Sequence, residues 1–399
     1  MKRAAVILGC LVFLAAGAAT VLPAQGYSPV GMAAAVTPAL AATADMGGIG
    51  TGLFYALPGA SALASFEQHA SQVGVLAPQS FSLDYWGELR GSVPADMADI
   101  ARQQGVAMMP LVINRGFSSW QALRLLGNRY ARDRAVDALV QTGLVQGLAG
   151  WQIDFEDLPW TARAAFSRFV AEAADALHRH GMQLSVAVAA RTNDDVHNAS
   201  YRDFSGVYDY AALARSADFL SVMAYPESDA SHPGPLASTP WVEQVIRYVL
   251  TQVPADKISL GLPDYQSTWM ERRVRVTVRR RIDGRIHWFY HHVYRIFHRN
   301  GPFAVRPSTL HWDPVLQTSY RIQGRGPNLH IVWVEDDRSF AAKLRLVALF
   351  HLRGYSVWRI GLEDPRIWNE LPPVERIAQA GARETADPDS PLPQPSVQP

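Results

Sequence analysis

The chain has 399 residues, of which 48% are hydrophobic and 10% aromatic, so it can bury one large core or two modest ones. This composition excludes a disordered chain, and a formal net charge of +1 gives no global reason to expect nucleic acid or an anionic membrane surface as a partner. The first expectation is a globular protein of enzyme size.

The N-terminus has the layout of a secretory signal. Met1-Lys2-Arg3 precedes an apolar run over residues 4–19, and small residues with Pro23-Ala24 follow. Residues 1–24 are therefore predicted to be a signal peptide, whereas an uncleaved leader would be a short membrane anchor. The only cysteine, Cys10, lies in this leader. We expect an exported protein, periplasmic or extracellular, that is stabilised by its core rather than by disulfides.

Composition divides the remainder of the chain into three parts. Residues 25–51 are rich in Ala and Gly without a steady period and are predicted to be a linker or lead-in. Residues 52–372 carry the periodic apolar pattern of a folded domain. Residues 373–399 form a C-terminal extension with a Pro-rich end and no periodicity, which is typical of a disordered tail.

Short apolar runs recur within the predicted domain, and helical patterns separate them. The eight strand candidates are residues 53–57, 73–76, 106–113, 150–155, 183–189, 219–224, 258–262 and 355–360. Residues 162–178 place apolar side chains mostly three and four positions apart, which predicts a helix. Repeated strand and helix units predict an α/β protein, and eight of them favour a (β/α)8 TIM barrel over the alternative, an open α/β sheet.

One interval breaks this rhythm. About 85 residues separate Trp269 from Val357, whereas a barrel unit needs about 35–40. The interval contains alternating Val274, Val276 and Val278, followed by runs of aromatic and β-branched residues. We expect a small β-rich (α+β) insertion of antiparallel strands between barrel strands seven and eight, at about residues 272–340.

Two carboxylates lie at the end of the fourth strand candidate. Period-two alternation puts Gln152, Asp154 and Glu156 on one face, which points into the barrel. The carboxyl ends of barrel strands form the active site, and mutual repulsion with partial burial would raise the pKa of one carboxyl there. The result would be a proton donor beside an ionised neighbour. Taken alone, however, an Asp-x-Glu pair is more often the start of a solvated loop.

The octet ending at Glu156 resembles the signature of family-18 glycoside hydrolases, Asp-x-x-Asp-x-Asp-x-Glu. Asp154 and Glu156 match the last two acids, whereas Ala149 and Gln152 stand where the first two would be. This variant is similar to the branch that contains bacterial cortex-lytic, spore-germination-type hydrolases and the barrel modules of polysaccharide-processing enzymes.

The resemblance extends over residues 52–372. Met223-Ala224-Tyr225 is similar to the Met-x-Tyr ending of the family's sixth strand, which supplies a tyrosine to the sugar site. Residues 254–263 resemble the seventh strand. Residues 354–361 resemble the eighth, with Trp358 where the family places the floor of the sugar pocket.

Pro226 departs from the family pattern. The family has an acid at this position, directly after Met-x-Tyr, and that acid helps to bind the acetamido group. Its absence counts against activity, and Glu227 or Asp229 would have to compensate from the same loop.

The resemblance implies a retaining hydrolysis in which the acetamido oxygen of the substrate is the nucleophile. Glu156 would protonate the leaving oxygen and then act as base toward water. Asp154 would accept a hydrogen bond from the acetamido N–H, Tyr225 would hold the acetamido oxygen, and Trp358 would stack beneath the sugar. The implied substrate-binding residues are Trp358, Gln152, Met223, Tyr265 and Trp269. No metal or organic cofactor is expected. Without the resemblance, Tyr225 and Trp358 could equally be core aromatics.

An arginine-rich stretch lies inside the predicted insertion. Residues 272–299 contain nine arginines and one acid, Asp283, with four interleaved histidines. The stretch could bind an anionic polymer such as a cell-wall or capsular glycan, because guanidinium groups pair with carboxylates and phosphates. The alternative is the solvated face of a half-exposed strand. Zinc binding is disfavoured, since no cysteine and a single acid accompany the histidines.

The function predicted from these features is an exported glycosidase that cleaves a β-linked N-acetylhexosamine polysaccharide such as peptidoglycan, a chitin-like polymer or an exopolysaccharide. The alternatives are a non-catalytic glycan-binding barrel and an accessory protein of envelope polysaccharide synthesis. A polysaccharide or oligosaccharide is the expected partner and a monomer the expected state. Nucleic acid is not expected, and membrane association would require an uncleaved leader.

Overall fold

A computed structural model of the protein describes residues 52–229, 232–283, 285–324, 330–372 and 374. The predicted signal peptide and lead-in, and nearly all of the predicted tail, lie outside these residues and stay predictions. Across the described ranges, no helix has both the length and the apolar character that crossing a bilayer would require.

The described chain contains fifteen strands and nine α-helices. The strands are β1 (Gly52–Ala56), β2 (Val75–Leu83), β3 (Leu89–Gly91), β4 (Ala107–Met108), β5 (Leu111–Asn114), β6 (Gly150–Asp154), β7 (Gln183–Ala189), β8 (Phe219–Met223), β9 (Ile258–Pro263), β10 (Gln266–Ile282), β11 (Arg285–Gly301), β12 (His311–Asp313), β13 (Thr318–Gln323), β14 (His330–Val334) and β15 (Gly354–Trp358). The helices are α1 (Ala60–His69), α2 (Ala95–Gln104), α3 (Ser119–Gly127), α4 (Arg129–Gln146), α5 (Arg163–His178), α6 (Ala199–Asp203), α7 (Tyr210–Ser216), α8 (Thr239–Val249) and α9 (Asp337–Leu349).

Eight parallel strands form a closed barrel. Their order around the barrel is β1, β2, β5, β6, β7, β8, β9 and β15. The barrel closes because β1 pairs with β2 on one side, Leu53 opposite Val75, and with β15 on the other, Gly52 opposite Tyr355. The predicted (β/α)8 barrel is confirmed, and the open-sheet alternative is wrong, since closure leaves neither end strand as an edge.

The core has two layers, one on each side of the barrel wall. Outward side chains of the strands pack against the helices. The Trp151 indole N–H of β6 donates to the Leu139 carbonyl oxygen of α4 at 3.1 Å, and Phe155 contacts Phe166 and Phe169 of α5. Inward side chains, including Tyr55 and Phe219, form a second cluster inside the barrel. Both faces of each strand are therefore buried, which is why these strands are nearly continuous apolar runs in the sequence.

Helix boundaries follow from local signals. The apolar positions predicted at spacing three and four form the buried face of α5. Helix α4 begins after Asn128, whose side chain accepts a hydrogen bond from the Tyr130 N–H, and ends before Gly147. Gly147 has φ 63° and donates to the carbonyls of Gly143 and Leu144, a left-handed cap that glycine adopts without steric cost.

Five strands between β9 and β15 form a separate antiparallel sheet. Its order is β11, β10, β14, β13 and β12. The strands predicted at the alternating valines and in the later aromatic runs are β10, β11 and β14. The sheet therefore lies between the seventh and eighth barrel strands, where the long sequence interval predicted an insertion. It begins at Gln266, three residues after β9 ends at Pro263.

Candidate active site

Asp154 and Glu156 lie at the carboxyl end of β6. Asp154 is the last residue of the strand and is buried, while Glu156 follows two residues later and is partly buried. A hydrogen bond joins the two side chains, which places them on the same side of the chain. The alternation predicted from the sequence is present, because Trp151 and Phe155 point outward to helices α4 and α5.

The surroundings favour a protonated Glu156. Burial raises the pKa of Glu156 well above its ordinary value, and the neighbouring charges of Asp154 and Asp157 raise it further. Burial also raises the pKa of Asp154, but there the hydrogen bond from Glu156 acts in the opposite direction. The pair therefore holds a proton on Glu156 at a pH where an ordinary glutamate has lost it, beside an acceptor at Asp154.

Two buried residues that the sequence did not single out hold the backbone of this segment. The Asn114 side chain, at the end of β5, accepts from the Glu156 N–H at 2.9 Å and donates to the Glu156 carbonyl oxygen at 3.1 Å. The Tyr208 hydroxyl donates to the Phe155 carbonyl oxygen at 2.9 Å. These bonds fix the loop just beyond the strand. The signal for Asn114 was a polar residue ending an apolar run, at the position where barrel strands present site residues.

Tyr225 follows β8 and lies on the inward face with Ser221 and Met223. Its hydroxyl oxygen is buried and has no hydrogen-bond partner among the described residues, and the same holds for Asp154 Oδ1. Burial raises the pKa of Tyr225, and the charge of Asp154 contributes to the increase. A hydrogen-bond donor, the Tyr225 hydroxyl, and an acceptor, Asp154 Oδ1, thus lie in the same interior. No group among the described residues pairs with either atom.

Neither acid of the loop after Pro226 replaces the acid that the family has there. Both carboxylate oxygens of Glu227 accept from Ser238, from its N–H at 2.6 Å and from its hydroxyl at 3.0 Å. Asp229 is exposed and accepts from the His232 N–H at 2.9 Å. Neither residue is therefore placed to compensate for Pro226, because the loop binds the Glu227 carboxylate to Ser238 and leaves Asp229 exposed.

A different carboxylate, Asp264, lies directly after β9 and contributes to the electrostatic environment of Tyr225. It is fully buried, and burial raises its pKa well above the ordinary value, with the charge of Glu363 adding to the effect. Its backbone N–H donates to the Trp358 carbonyl oxygen at 3.0 Å, and its Oδ1 accepts from the Arg359 N–H at 2.6 Å. Asp264 therefore holds both sides of the Trp358–Arg359 peptide.

Trp358 ends β15 and is partly exposed. Its ring lies 5.5 Å from that of Tyr55, at an interplanar angle of 55°, and packs on the apolar cluster inside the barrel. One face of the indole is thereby supported by the barrel interior. Asp264 fixes its backbone, so the ring forms a rigid surface at the same end of the barrel as the carboxyl pair.

Gln152 occupies a supporting position rather than the substrate-binding one predicted for it. Its side chain is fully buried, accepts from the Ser185 hydroxyl at 2.8 Å and donates to the Tyr55 hydroxyl. The Tyr55 hydroxyl also lies 2.7 Å from that of Ser221. This polar layer crosses the barrel interior beneath the carboxyl pair. Because its amide is bonded on both sides and has no exposed surface, Gln152 has nothing to offer a bound sugar.

The remaining predicted substrate-binding residues differ in access. Met223 is partly exposed at the end of β8, whereas Tyr265 and Trp269 are buried. The Trp269 indole N–H donates to the Gly234 carbonyl oxygen at 2.7 Å, and its ring stacks on His298 at 4.2 Å. The predicted contact of Trp269 with substrate is therefore replaced by a structural role. Trp269 joins the inserted sheet to the loop after β8.

A (β/α)8 barrel with a buried carboxyl pair at the carboxyl ends of its strands has the form of a glycoside hydrolase. The comparison with family models gives the same class, since residues 68–363 match glycosyl hydrolases family 18. The chain belongs to this family and is a glycosidase, as its resemblance to the family signature predicted.

The relatives include proteins named as lytic enzymes and chitinases. The chain is 24% identical over 313 residues to the uncharacterized glycosylase YvbX of Bacillus subtilis, covering 77% of this chain and 86% of that protein. It is 28% identical over 296 residues to the cortical fragment-lytic enzyme of the same organism, covering 72% and 65%, so it spans somewhat less than two thirds of that enzyme.

Solved structures share the fold. A chitinase from Chromobacterium violaceum aligns with a TM-score of 0.66 at 25% identity, over 81% of this chain and 98% of that chain. The spore cortex-lytic enzyme SleL of Bacillus megaterium aligns with a TM-score of 0.67 at 22% identity, over 82% and 75%.

Proposed function

We propose that this glycosidase is exported and cleaves β-linked N-acetylhexosamine polysaccharide by a retaining mechanism in which the substrate's acetamido group is the nucleophile. The observation that carries the proposal is a pair of unpartnered buried atoms on Asp154 and Tyr225, whose charges interact. Asp154 Oδ1 is an acceptor and Tyr225 Oη is a donor. An acetamido group presents the complement, an N–H donor and a carbonyl acceptor.

Each residue then has a defined role. Glu156 gives its proton to the glycosidic oxygen while the acetamido oxygen attacks the anomeric carbon, so the bond to the leaving sugar breaks and an oxazolinium ring forms. Asp154 accepts from the acetamido N–H and stabilises the positive charge, and Tyr225 donates to the attacking oxygen and keeps it in line. Water next attacks the anomeric carbon and loses a proton to Glu156, while the bond between that carbon and the acetamido oxygen breaks, which restores both the acetamido group and the acid.

Several features support the substrate class and the export. Trp358 offers a supported aromatic surface on which a sugar ring can stack. Relatives are named as a cortical fragment-lytic enzyme and a chitinase, both of which suit a substrate such as peptidoglycan or a chitin-like polymer. The Met1-Lys2-Arg3 start and the apolar run after it support export to the periplasm or beyond.

The proposal is tested by incubating the purified protein with peptidoglycan, chitooligosaccharides and partly deacetylated poly-GlcNAc, and measuring released reducing ends. Glu156→Gln should slow hydrolysis about 100-fold or more, since it removes the proton donor but keeps the shape of the side chain. Glu67→Gln, at an exposed position on α1, is the matched control and should leave the rate unchanged.

Two results would contradict the proposal. Binding of a polymer without release of sugar would show a glycan-binding barrel instead. Cleavage at glucosamine units that lack the acetyl group, as fast as at acetylated units, would exclude the acetamido group as nucleophile even if Glu156 proves to be the acid.

A further inference from the structure

The inserted sheet carries a long two-stranded extension, which we call the basic arm and define as residues 271–282 of β10 and 285–296 of β11. Strand β10 pairs with β14 only from Gln266 to Met270, and beyond that point it pairs with β11 alone. Twelve further residue pairs at about 3.4 Å each extend the arm by about 40 Å. The arm continues the five residues of β10 that pair with β14, and β10 begins at Gln266, three residues after β9 ends at the catalytic end of the barrel.

The arm carries a large excess of positive charge. Residues 271–296 contain eight arginines, no lysine and two acids, in a chain whose net charge is only +1. The arginines occur along the whole length of the arm, at positions 272, 273, 275, 279, 280, 281, 285 and 295. None of the carboxylates in the described ranges lies within ion-pair distance of Arg279, Arg281 or Arg285.

The register places apolar side chains and guanidinium groups on the same face. Arg279 lies opposite Trp288, and Arg281 lies opposite Ile286. Directly opposed residues of antiparallel strands share a face, so these four side chains form one surface. Trp288 is 58% exposed and Ile286 49% exposed, and both arginines are exposed.

A solvated strand face does not account for this surface. An isolated two-stranded ribbon is marginally stable in water, and here like charges repel along it while a tryptophan remains exposed. A bound polyanion would neutralise the arginines and cover the tryptophan. Three exposed apolar side chains, Ile282, Ile286 and Trp288, lie near the turn of the arm, as a membrane anchor would require. Four of the eight arginines, at positions 272, 273, 275 and 295, lie at the opposite end, however, and charge along the whole length of the arm suits an extended polymer.

The residue types indicate the chemistry of the partner. Arginine alone, without lysine, favours planar groups that accept two parallel hydrogen bonds, of which carboxylate is the simplest. Trp288 beside Arg279 offers a ring face for stacking next to a guanidinium group, which matches a sugar ring that carries a carboxylate.

We propose that the basic arm is a second binding site, which holds a linear carboxylate-bearing polysaccharide at the catalytic end of the barrel. The site uses none of the active-site residues, so it binds its polymer whether or not the sugar cleaved at Glu156 is the one proposed above.

The test measures the affinity of the full-length protein for polygalacturonate by affinity electrophoresis. The arm variant carries Arg279→Gln and Arg281→Gln, and a second variant carries Trp288→Ala. The control carries the same change of charge at exposed positions of two helices, Arg102→Gln on α2 and Arg129→Gln on α4. Neutral dextran and vesicles rich in phosphatidylglycerol are run in parallel.

We expect polygalacturonate binding that weakens with salt, falls about tenfold or more in the arm variant, falls also with Trp288→Ala and is unchanged in the control. Glu156→Gln should bind as the wild type does. The arm variant should retain the wild-type thermal transition and its rate on short uncharged oligosaccharides, which separates a failure of the arm from misfolding and from a failure of the proposed hydrolysis.

Three outcomes would overturn the proposal. Equal affinity of arm variant and wild type would place the binding elsewhere. Binding to the vesicles without binding to polygalacturonate would make the arm a membrane contact. A dimer that dissociates in the arm variant, seen by light scattering, with no polygalacturonate bound, would make the arm an interface between two copies of this chain.

Discussion

At the residue scale, the chemistry of the site depends on how neighbours control one proton. Asp157 has φ 57°, in the left-handed region, and its charge adds to that of Asp154 in raising the pKa of Glu156. Asn114 fixes the backbone of Glu156 through two hydrogen bonds, so the electrostatic effect acts on a side chain whose backbone position does not change. Position and protonation of the acid thus have separate causes, and each can be changed without the other.

Asp157→Asn isolates the electrostatic part, since asparagine tolerates the left-handed backbone. Removing the charge lowers the pKa of Glu156, so the acid loses its proton at lower pH. The alkaline limb of the kcat/KM profile should move down by roughly 0.3–1 pH unit, with little change in the plateau. A profile on an uncharged oligosaccharide measures this, with Asp137→Asn on α4 as control. An unmoved limb, or one moved upward, would contradict the assignment of Glu156 as the acid.

At the element scale, neighbouring barrel strands must approach closely to bring Tyr225 and Asp264 together. Tyr225 follows β8 and Asp264 follows β9, so the separation of these strands sets the distance between the two groups. Gly261 of β9 allows the close approach. A Cβ at this position would lie 2.4 Å from the Val222 carbonyl oxygen of β8, which is backbone and cannot turn aside.

Gly261→Ala should therefore lower the free energy of unfolding by about 1–3 kcal/mol, because the two strands must move apart. The same displacement should reduce kcat. Gly127→Ala is the matched control, since a Cβ at the end of α3 meets nothing within 4 Å and should be neutral or slightly stabilising. Denaturant unfolding of both variants measures the difference, and equal stabilities would show that the strand spacing is not tight.

At the scale of the whole molecule, a buried ion pair lies where the chain returns from the inserted sheet to the barrel. Glu335 follows β14, and Lys343 lies on α9 with its Nζ 2.6 Å from a Glu335 carboxylate oxygen. Both side chains are 1% exposed. Burial raises the pKa of Glu335, while the charge of Lys343 acts against that increase. The ion pair therefore stabilises the connection between the two sheets, and because it is buried, water does not screen it.

Lys343→Met should destabilise the protein by about 3–5 kcal/mol at neutral pH, since it leaves Glu335 buried without its cation. Without the lysine the folded-state pKa of Glu335 rises further above its unfolded value. Stability should accordingly be higher below the unfolded pKa and be lost as pH rises through the folded pKa. Thermal unfolding of the variant against pH measures this. Adding Glu335→Gln should recover most of the loss, and no recovery would point to packing instead of charge.

Local patterns in the sequence were enough to predict the fold and the position of the acids. Eight apolar runs separated by helices predict the barrel, because each strand is buried on both faces wherever it lies in the ring. Alternation at Gln152, Asp154 and Glu156 predicts an inward carboxyl pair from five consecutive residues. These properties depend on the side-chain period of strands and helices, which a few consecutive residues are enough to show.

What each polar group does there was decided only by tertiary structure. Gln152 and Tyr55 are 97 residues apart, Asp264 and Arg359 are 95 apart, and Asn114 and Glu156 are 42 apart, yet each pair is joined by hydrogen bonds. Which buried group satisfies which depends on strand register and on closure of the barrel. The spacing of residues within one strand or helix predicts neither the register nor the closure. The sequence alone therefore determined a barrel with Asp154 and Glu156 facing inward, while the folded chain decided that Gln152 supports the site and Asp264 orients Trp358.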